Sequence, residues 1–252
     1  MGRSSREEVG VAIASSSRFP TKSLRGGSVE IPPIRPQPVA INSSEMKPAV
    51  KPRRSQADRS AITRAKVIAA ARDVLCAQGY SGATMHAIRD AAGMSLGAIQ
   101  HQFPTKAKLI AAVAIEFSNY RTEVYAAAIR KGRTPRESME NLINANFEMV
   151  GRPEMAALLE IHLARRNDPD LDAEVGPSTR RFDRRVRLWA YKILHAAGIY
   201  AAEMHLSLQL LNNAVTRGLT VENIRNPNPA AIDRAIKIWK RQMLDLIFGN
   251  KT

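Results

Sequence analysis

The sequence predicts an all-α fold, and three observations carry that prediction. From Asp58 onward, apolar residues recur at intervals of three and four, and no stretch shows a period of two. Short breaks built on Gly, Pro and Asn separate these stretches, as "KGRTP", "GRP", "NDPD", "AAG" and "NPNP" do. Hydrophobic residues make up 44% of the 252 but aromatics only 5%, and Ala is abundant, which favours packed helices over sheets.

Residues 1–56 come first and stand apart. They hold seven of the fourteen prolines, among them "IPPIRPQP", and read as a disordered, basic, Pro-rich tail. The end of this segment, "KPAVKPRRSQ", would suit an arm along a nucleic-acid backbone. A solubilising tail, or a true start at Met46, is the plainer reading. The first helix is expected over about 60–78, with Val67, Ala70, Ala71, Val74 and Leu75 on one face and Gly79 ending it. A second helix starts at the N-cap Thr84 and stops before Gly93. A third runs from Leu96 to Gln102 behind the cap Ser95, and a fourth from Lys106 to about Ile129. Further helices are expected over about 136–150, 154–166, 179–197, 202–219 and 230–248.

The second and third helices, joined at Gly93-Met94-Ser95, make a helix-turn-helix. The turn is tight, and Gly93 supplies the positive φ that a side chain resists. Ile88, Ala92 and Ile99 are spaced to pack on the first helix, which leaves the small, polar face of Gly97, Ala98, Gln100 and His101 outward. Such a face suits the major groove of DNA. The helix starts near Thr84 and Lys106 can each offer backbone N–H groups to a phosphate.

At these residues the chain resembles the tetracycline-repressor (TetR/AcrR-like) family of bacterial transcriptional regulators. The matching pattern is "VIAAARDVL...GY...T...I..AAGMS.GAI...F..K..L", within about 60–110. Each element alone is weak, whereas the ordered set is specific. The resemblance implies three segments: the tail over 1–56, a helix-turn-helix DNA-binding domain over 57–110, and a helical regulatory and dimerisation domain over 111–252. It implies a homodimeric repressor on a pseudo-palindromic operator, released by a small-molecule effector. Thr84, Ser95, Gln100, Gln102 and Lys106 would hold the DNA backbone, and His86, Leu96, Gly97, Ala98 and His101 would meet base edges. The chain departs from the family at Gln100, where Tyr is usual, at Gln102, where His is usual, and at Arg89, where a small residue is usual.

In the rest of the chain, Leu208, Leu211 and Val215 form one apolar stripe. Ile232, Ile236, Trp239, Met243 and Leu246 form another. Paired across two subunits, these helices would make a four-helix dimer interface, which is where the resemblance places it. Covering the chain's own core is the alternative use of both stripes. The middle helices would enclose the effector, with Phe117, Tyr120, Phe147, Met155, Leu159, His162, Phe182, Trp189 and Ile193 as candidate lining. Helix 4 joins that region to the helix-turn-helix and would carry the motion between them.

The formal net charge of +15 calls for a polyanionic partner. A basic protein that associates with DNA or membranes without reading sequence is the competing reading, and the family reading expects no membrane partner. Five scattered histidines without metal-ligand spacing, and the absence of a phosphate loop or nucleophile elbow, argue against an enzyme, a metal or a cofactor. The single Cys76 allows no intramolecular disulfide and fits a cytoplasmic setting, with a structural thiol as its plain role. The start of the chain has an apolar run of only six residues next to Glu7 and Glu8, a poor signal peptide.

Overall fold

The computed structural model describes residues 55–200 and 202–249. The expected tail, apart from its last two residues, and Met46 lie outside them. The described residues form nine helices and no strand: α1 (Gln56–Gly82), α2 (Met85–Ala92), α3 (Leu96–Gln102), α4 (Lys106–Arg130), α5 (Pro135–Phe147), α6 (Pro153–Ala164), α7 (Pro169–Ala196), α8 (Ala202–Arg225) and α9 (Pro229–Phe248).

The start of α1 precedes its apolar stripe. Ser55 Oγ accepts from the Asp58 N–H at 3.1 Å, and the Asp58 carboxylate accepts from the Ser55 N–H at 3.1 Å. This reciprocal cap satisfies two backbone donors and extends the helix four residues beyond the expected start. At Gly79 the chain turns through φ +71° and then resumes to Gly82, so the expected stop is a kink. Hydroxyl caps start the next three helices. Thr84 Oγ1 accepts from Ala87 N, Ser95 Oγ from Ala98 N and Thr105 Oγ1 from Lys108 N, at 3.1–3.2 Å. Each such cap is worth about 1 kcal/mol.

The start of α7 lies ten residues before the expected one. Asp168 caps it through the Leu171 N–H, and Pro169 sits in the first turn, where its missing N–H costs nothing. Pro177 lies inside the helix, two residues before the expected start. An interior proline costs about 3 kcal/mol. Burial of Leu171 and Val175, both fully enclosed, works against that cost, and Ser178 and Thr179 both donate to the Val175 carbonyl.

Val67, Ala71, Ile88, Ile99 and Leu109 are fully buried where α1 to α4 meet. Burying a side chain such as Ile88 stabilises by roughly 1.5–3 kcal/mol. α4 runs unbroken from this head into the rest of the molecule, where it packs on α5 and α7, and α1 packs on α6. In the centre a directional chain of hydrogen bonds crosses three helices. The Tyr125 hydroxyl donates to Asn146 Oδ1 at 2.7 Å, Asn146 Nδ2 donates to Thr216 Oγ1 at 2.7 Å, and Thr216 donates to the Asn212 carbonyl at 2.8 Å. No helix among the described residues is long and apolar enough to cross a membrane.

Candidate nucleic-acid interface and effector cavities

The turn between α2 and α3 closes on Gly93, at φ +60° and ψ +43°. The Gly93 N–H donates to Asp90 and the Met94 N–H to Arg89, which satisfies the last carbonyls of α2. With Ile99 buried against α1, α3 turns its other face to solvent. Gly97, Gln100 and His101 are exposed on it, and Leu96 and Ala98 are partly exposed. A Cβ placed on Gly97 would meet nothing within 4 Å, so the backbone of α3 can be approached closely from outside. Thr84, His86 and Ser95 are exposed on the same helix-turn-helix.

Two of the expected contact residues are partly engaged. Gln102 donates from Nε2 to Ser60 Oγ at 3.3 Å, and its carbonyl accepts from Arg64 at 3.2 Å. Lys106 points back into the head. Its Nζ donates to the Tyr80 carbonyl at 3.0 Å and stands 4.1 Å from the centre of the Tyr80 ring. Burial holds its pKa below the ordinary lysine value. These two interactions tie α4 to the kink of α1. Arg89 is paired with Asp90 at 2.6 Å, which fixes its charge locally.

Sequence reasoning missed Arg64. Its guanidinium stacks 4.1 Å from the Phe103 ring centre, at the end of α3. The only sequence signal was a basic residue off the apolar stripe of α1.

The kink at Gly79 also meets α6. Glu160 accepts from the Tyr80 N–H at 2.6 Å, and the Tyr80 hydroxyl donates to the Asp168 cap of α7 at 3.3 Å. A side chain at 79 would run into the Glu160 carboxylate. The head is therefore joined to the remaining helices through α6 as well as α4.

Two clefts lie among the later helices, and they share a wall. The first encloses about 640 Å³ of atom-free space, part of it open to solvent, and is of mixed character, with Ser118, Thr179, Asn213 and Arg217 beside Leu158 and Leu159 in its lining. The second, of about 680 Å³, is mainly apolar, with Leu142, Ile143, Val186 and Met243 in its lining. Arg121, Asn146, Phe182, Asp183 and Asn213 belong to both. Of the nine expected lining residues, Met155, Leu159, His162 and Phe182 meet at the first cleft. Phe117 and Tyr120 line a smaller recess with Met155. Phe147 and Ile193 are buried in the core, and Trp189 is half-buried against it. The sequence did not reveal Arg121 or the apolar second cleft.

His162 accepts from Arg165 at Nδ1, 3.1 Å away, because a guanidinium can only donate. Burial first, and then Arg165, Arg217 and Arg121, push its pKa down to about 4. Burial pushes the Cys76 thiol up to about 11, which leaves it protonated and structural.

The apolar stripes of α8 and α9 divide between two surfaces. Leu208 and Met243, expected at a dimer interface, are 8% and 4% exposed and belong to the chain's own core. Val215, Ile232, Ile236 and Trp239 are half-buried, and Trp239 Nε1 donates to Asn212 at 3.4 Å. Leu211 and Leu246 face outward, with Leu206, Leu210, Val221, Ile224 and Ile238 exposed beside them in sequence. The helical phase set by the core positions accounts for this division. A stripe wide enough to cover the core leaves a second, adjacent stripe outside.

A family model described as bacterial regulatory proteins, tetR family, matches residues 67–113, a span from α1 into α4. The chain resembles the TetR family over this span. Among curated relatives, the HTH-type transcriptional regulator CymR of Pseudomonas putida is 29% identical over 72% of this chain and 89% of its own. The HTH-type transcriptional repressor Rv1474c of Mycobacterium tuberculosis is 36% identical over 45% of this chain and 56% of its own. Among solved structures, the transcriptional regulator FadR of Bacillus subtilis, in complex with stearoyl-CoA, shares the fold. It aligns with a TM-score of 0.59 at 15% identity, over 71% of this chain and 97% of that one. The family and these relatives are regulators and not enzymes.

Proposed function

We propose that the protein is a homodimeric transcriptional repressor that binds a pseudo-palindromic DNA operator and is released by a small-molecule effector. The observation that carries this reading is the outward face of α3, open down to the backbone at Gly97 and framed by the capped starts of α2 and α3. On this reading residues 57–110 are the reading head and 111–252 the regulatory and dimerisation part. Thr84, Ser95, Gln100 and Gln102 hold phosphates, and His86, Leu96, Gly97, Ala98 and His101 meet base edges. Arg64 joins them at the end of α3, and Lys106 leaves the set.

The dimer face is the outer stripe of α8 and α9. Leu206, Leu210, Ala214, Gly218 and Val221 follow one another at spacings of three and four, and all are exposed. The names of the relatives support regulation and repression, and the ligand seen with FadR supports an effector. Coupling runs along α4, from Lys106 at the head to Arg121 at the clefts, about 22 Å at 1.5 Å per residue.

Selection of bound fragments from random double-stranded DNA, on the full chain at near-physiological salt, tests this reading. An enriched inverted repeat is the expected result. Binding without enrichment would replace it with sequence-independent association.

A further inference from the structure

We propose that the effector is a small organic monocarboxylate, its apolar body in the second cleft and its carboxylate on Arg121. The inference deepens the repressor reading above, of which it needs only that the clefts are a ligand site.

Arg121 carries five N–H donors, and its guanidinium has one hydrogen-bond acceptor, the Tyr125 hydroxyl, at 3.3–3.4 Å. That hydroxyl gives its own proton to Asn146, so the hydrogen-bond chain toward Asn212 runs in one direction and uses no more of the guanidinium. The guanidinium lies 4.2 Å from the centre of the Phe182 ring, and both residues line the wall common to the two clefts. No carboxylate among the described residues forms an ion pair with it. The only acid lining either cleft, Asp183, is not within ion-pair distance of Arg121, and Arg217 adds a second positive charge to the first cleft.

The second cleft holds a further polar atom without a partner. His205 is 8% exposed, and its Nε2 makes no hydrogen bond. An apolar chamber bounded by a guanidinium with spare donors matches a ligand with an apolar body and an anionic head. A planar carboxylate fits the two parallel N–H groups of a guanidinium. One guanidinium beside Asp183 neutralises a monoanion better than a phosphate dianion, and it repels an amine.

The test is calorimetric titration of the full chain with octanoate, decanoate and 4-phenylbutanoate, each against its primary amide, with octylamine as the cationic control. At least one acid is expected to bind about tenfold more tightly than its amide, and the amine not to bind. Arg121→Met should abolish the preference for acid over amide, and Arg121→Lys should keep part of it. Arg121 also supports Tyr125, so Asp183→Asn provides a variant outside that hydrogen-bond chain. It should increase the preference about threefold by removing the one negative charge on the shared wall.

Failure of all three acids to bind, equal binding of acid and amide, or an unchanged preference in Arg121→Met or Asp183→Asn would each overturn the proposal. DNA selection on the same preparation separates the two readings. Carboxylate binding without an enriched DNA sequence would sink the repressor and leave the ligand. An enriched sequence with no carboxylate preference would sink only the ligand.

Discussion

Lys106 and His162 show how one side chain's surroundings decide its role. Lys106→Met should lower stability, because it removes the fastening of α4 to the Tyr80 carbonyl. It should leave the salt dependence of DNA binding as it was. A lysine that neutralised a phosphate would carry about 0.9 of the slope of log K against log salt, and plots for the two proteins would then diverge. His162 is held neutral in the folded chain, with its pKa near 4 against 6.5 in an unfolded one. Between these values the unfolded state binds more protons, so stability is complete above pH 6.5 and falls as pH drops toward 4. The loss is at most on the order of 3 kcal/mol. Denaturant melts at pH 7.5 and pH 5 should show a smaller difference in His162→Gln than in the parent.

At the scale of elements, the chain from Tyr125 to Thr216 ties α4, α5 and α8 together. Asn146→Leu should cost about 2–4 kcal/mol, because it strands the buried Tyr125 hydroxyl and removes the donor to Thr216. Adding Tyr125→Phe should recover part of that loss, and a double-mutant cycle in denaturant melts measures how much. The short helices of the head were legible in the sequence because their boundaries are chemical. Thr84, Ser95 and Thr105 each mark a start with an oxygen, and Gly93 marks a stop. The start of α7 was not legible, because Pro177 signals a break that only the packing of Leu171 and Val175 overrides. The first cleft was half legible. Its apolar members lie on helical stripes, but Arg121 looks like any charged residue until Phe182 and Tyr125 are placed beside it.

At the scale of the whole molecule, the outer stripe of α8 and α9 determines the proposed assembly. Leu210 and Leu246 are 66% and 62% exposed, so replacing them with Asp creates no cavity in the subunit. The double variant should keep its melting temperature within about 3 °C if the subunit folds alone. It should sediment as a monomer and lose most of its affinity for an inverted repeat while still touching half-sites. Sedimentation and gel-shift titrations decide this, and a variant that remained dimeric would move the interface elsewhere. The two stripes also explain why sequence alone misassigned Leu208 and Met243. Periodicity identifies apolar faces but does not say which one a second copy covers.

The contact between Glu160 and the Tyr80 N–H joins α6 to the main chain of the head, and no head side chain takes part in it. An amide N–H is the same whatever residue carries it. The contact therefore puts no demand on head side chains, apart from the bare Cα at 79 that lets the carboxylate in. Of the two contacts at this joint, only the Tyr80 hydroxyl on Asp168 depends on a head side chain. On the proposed repressor reading, a head regrafted for another operator would keep this joint provided that Gly79 and Tyr80 are retained.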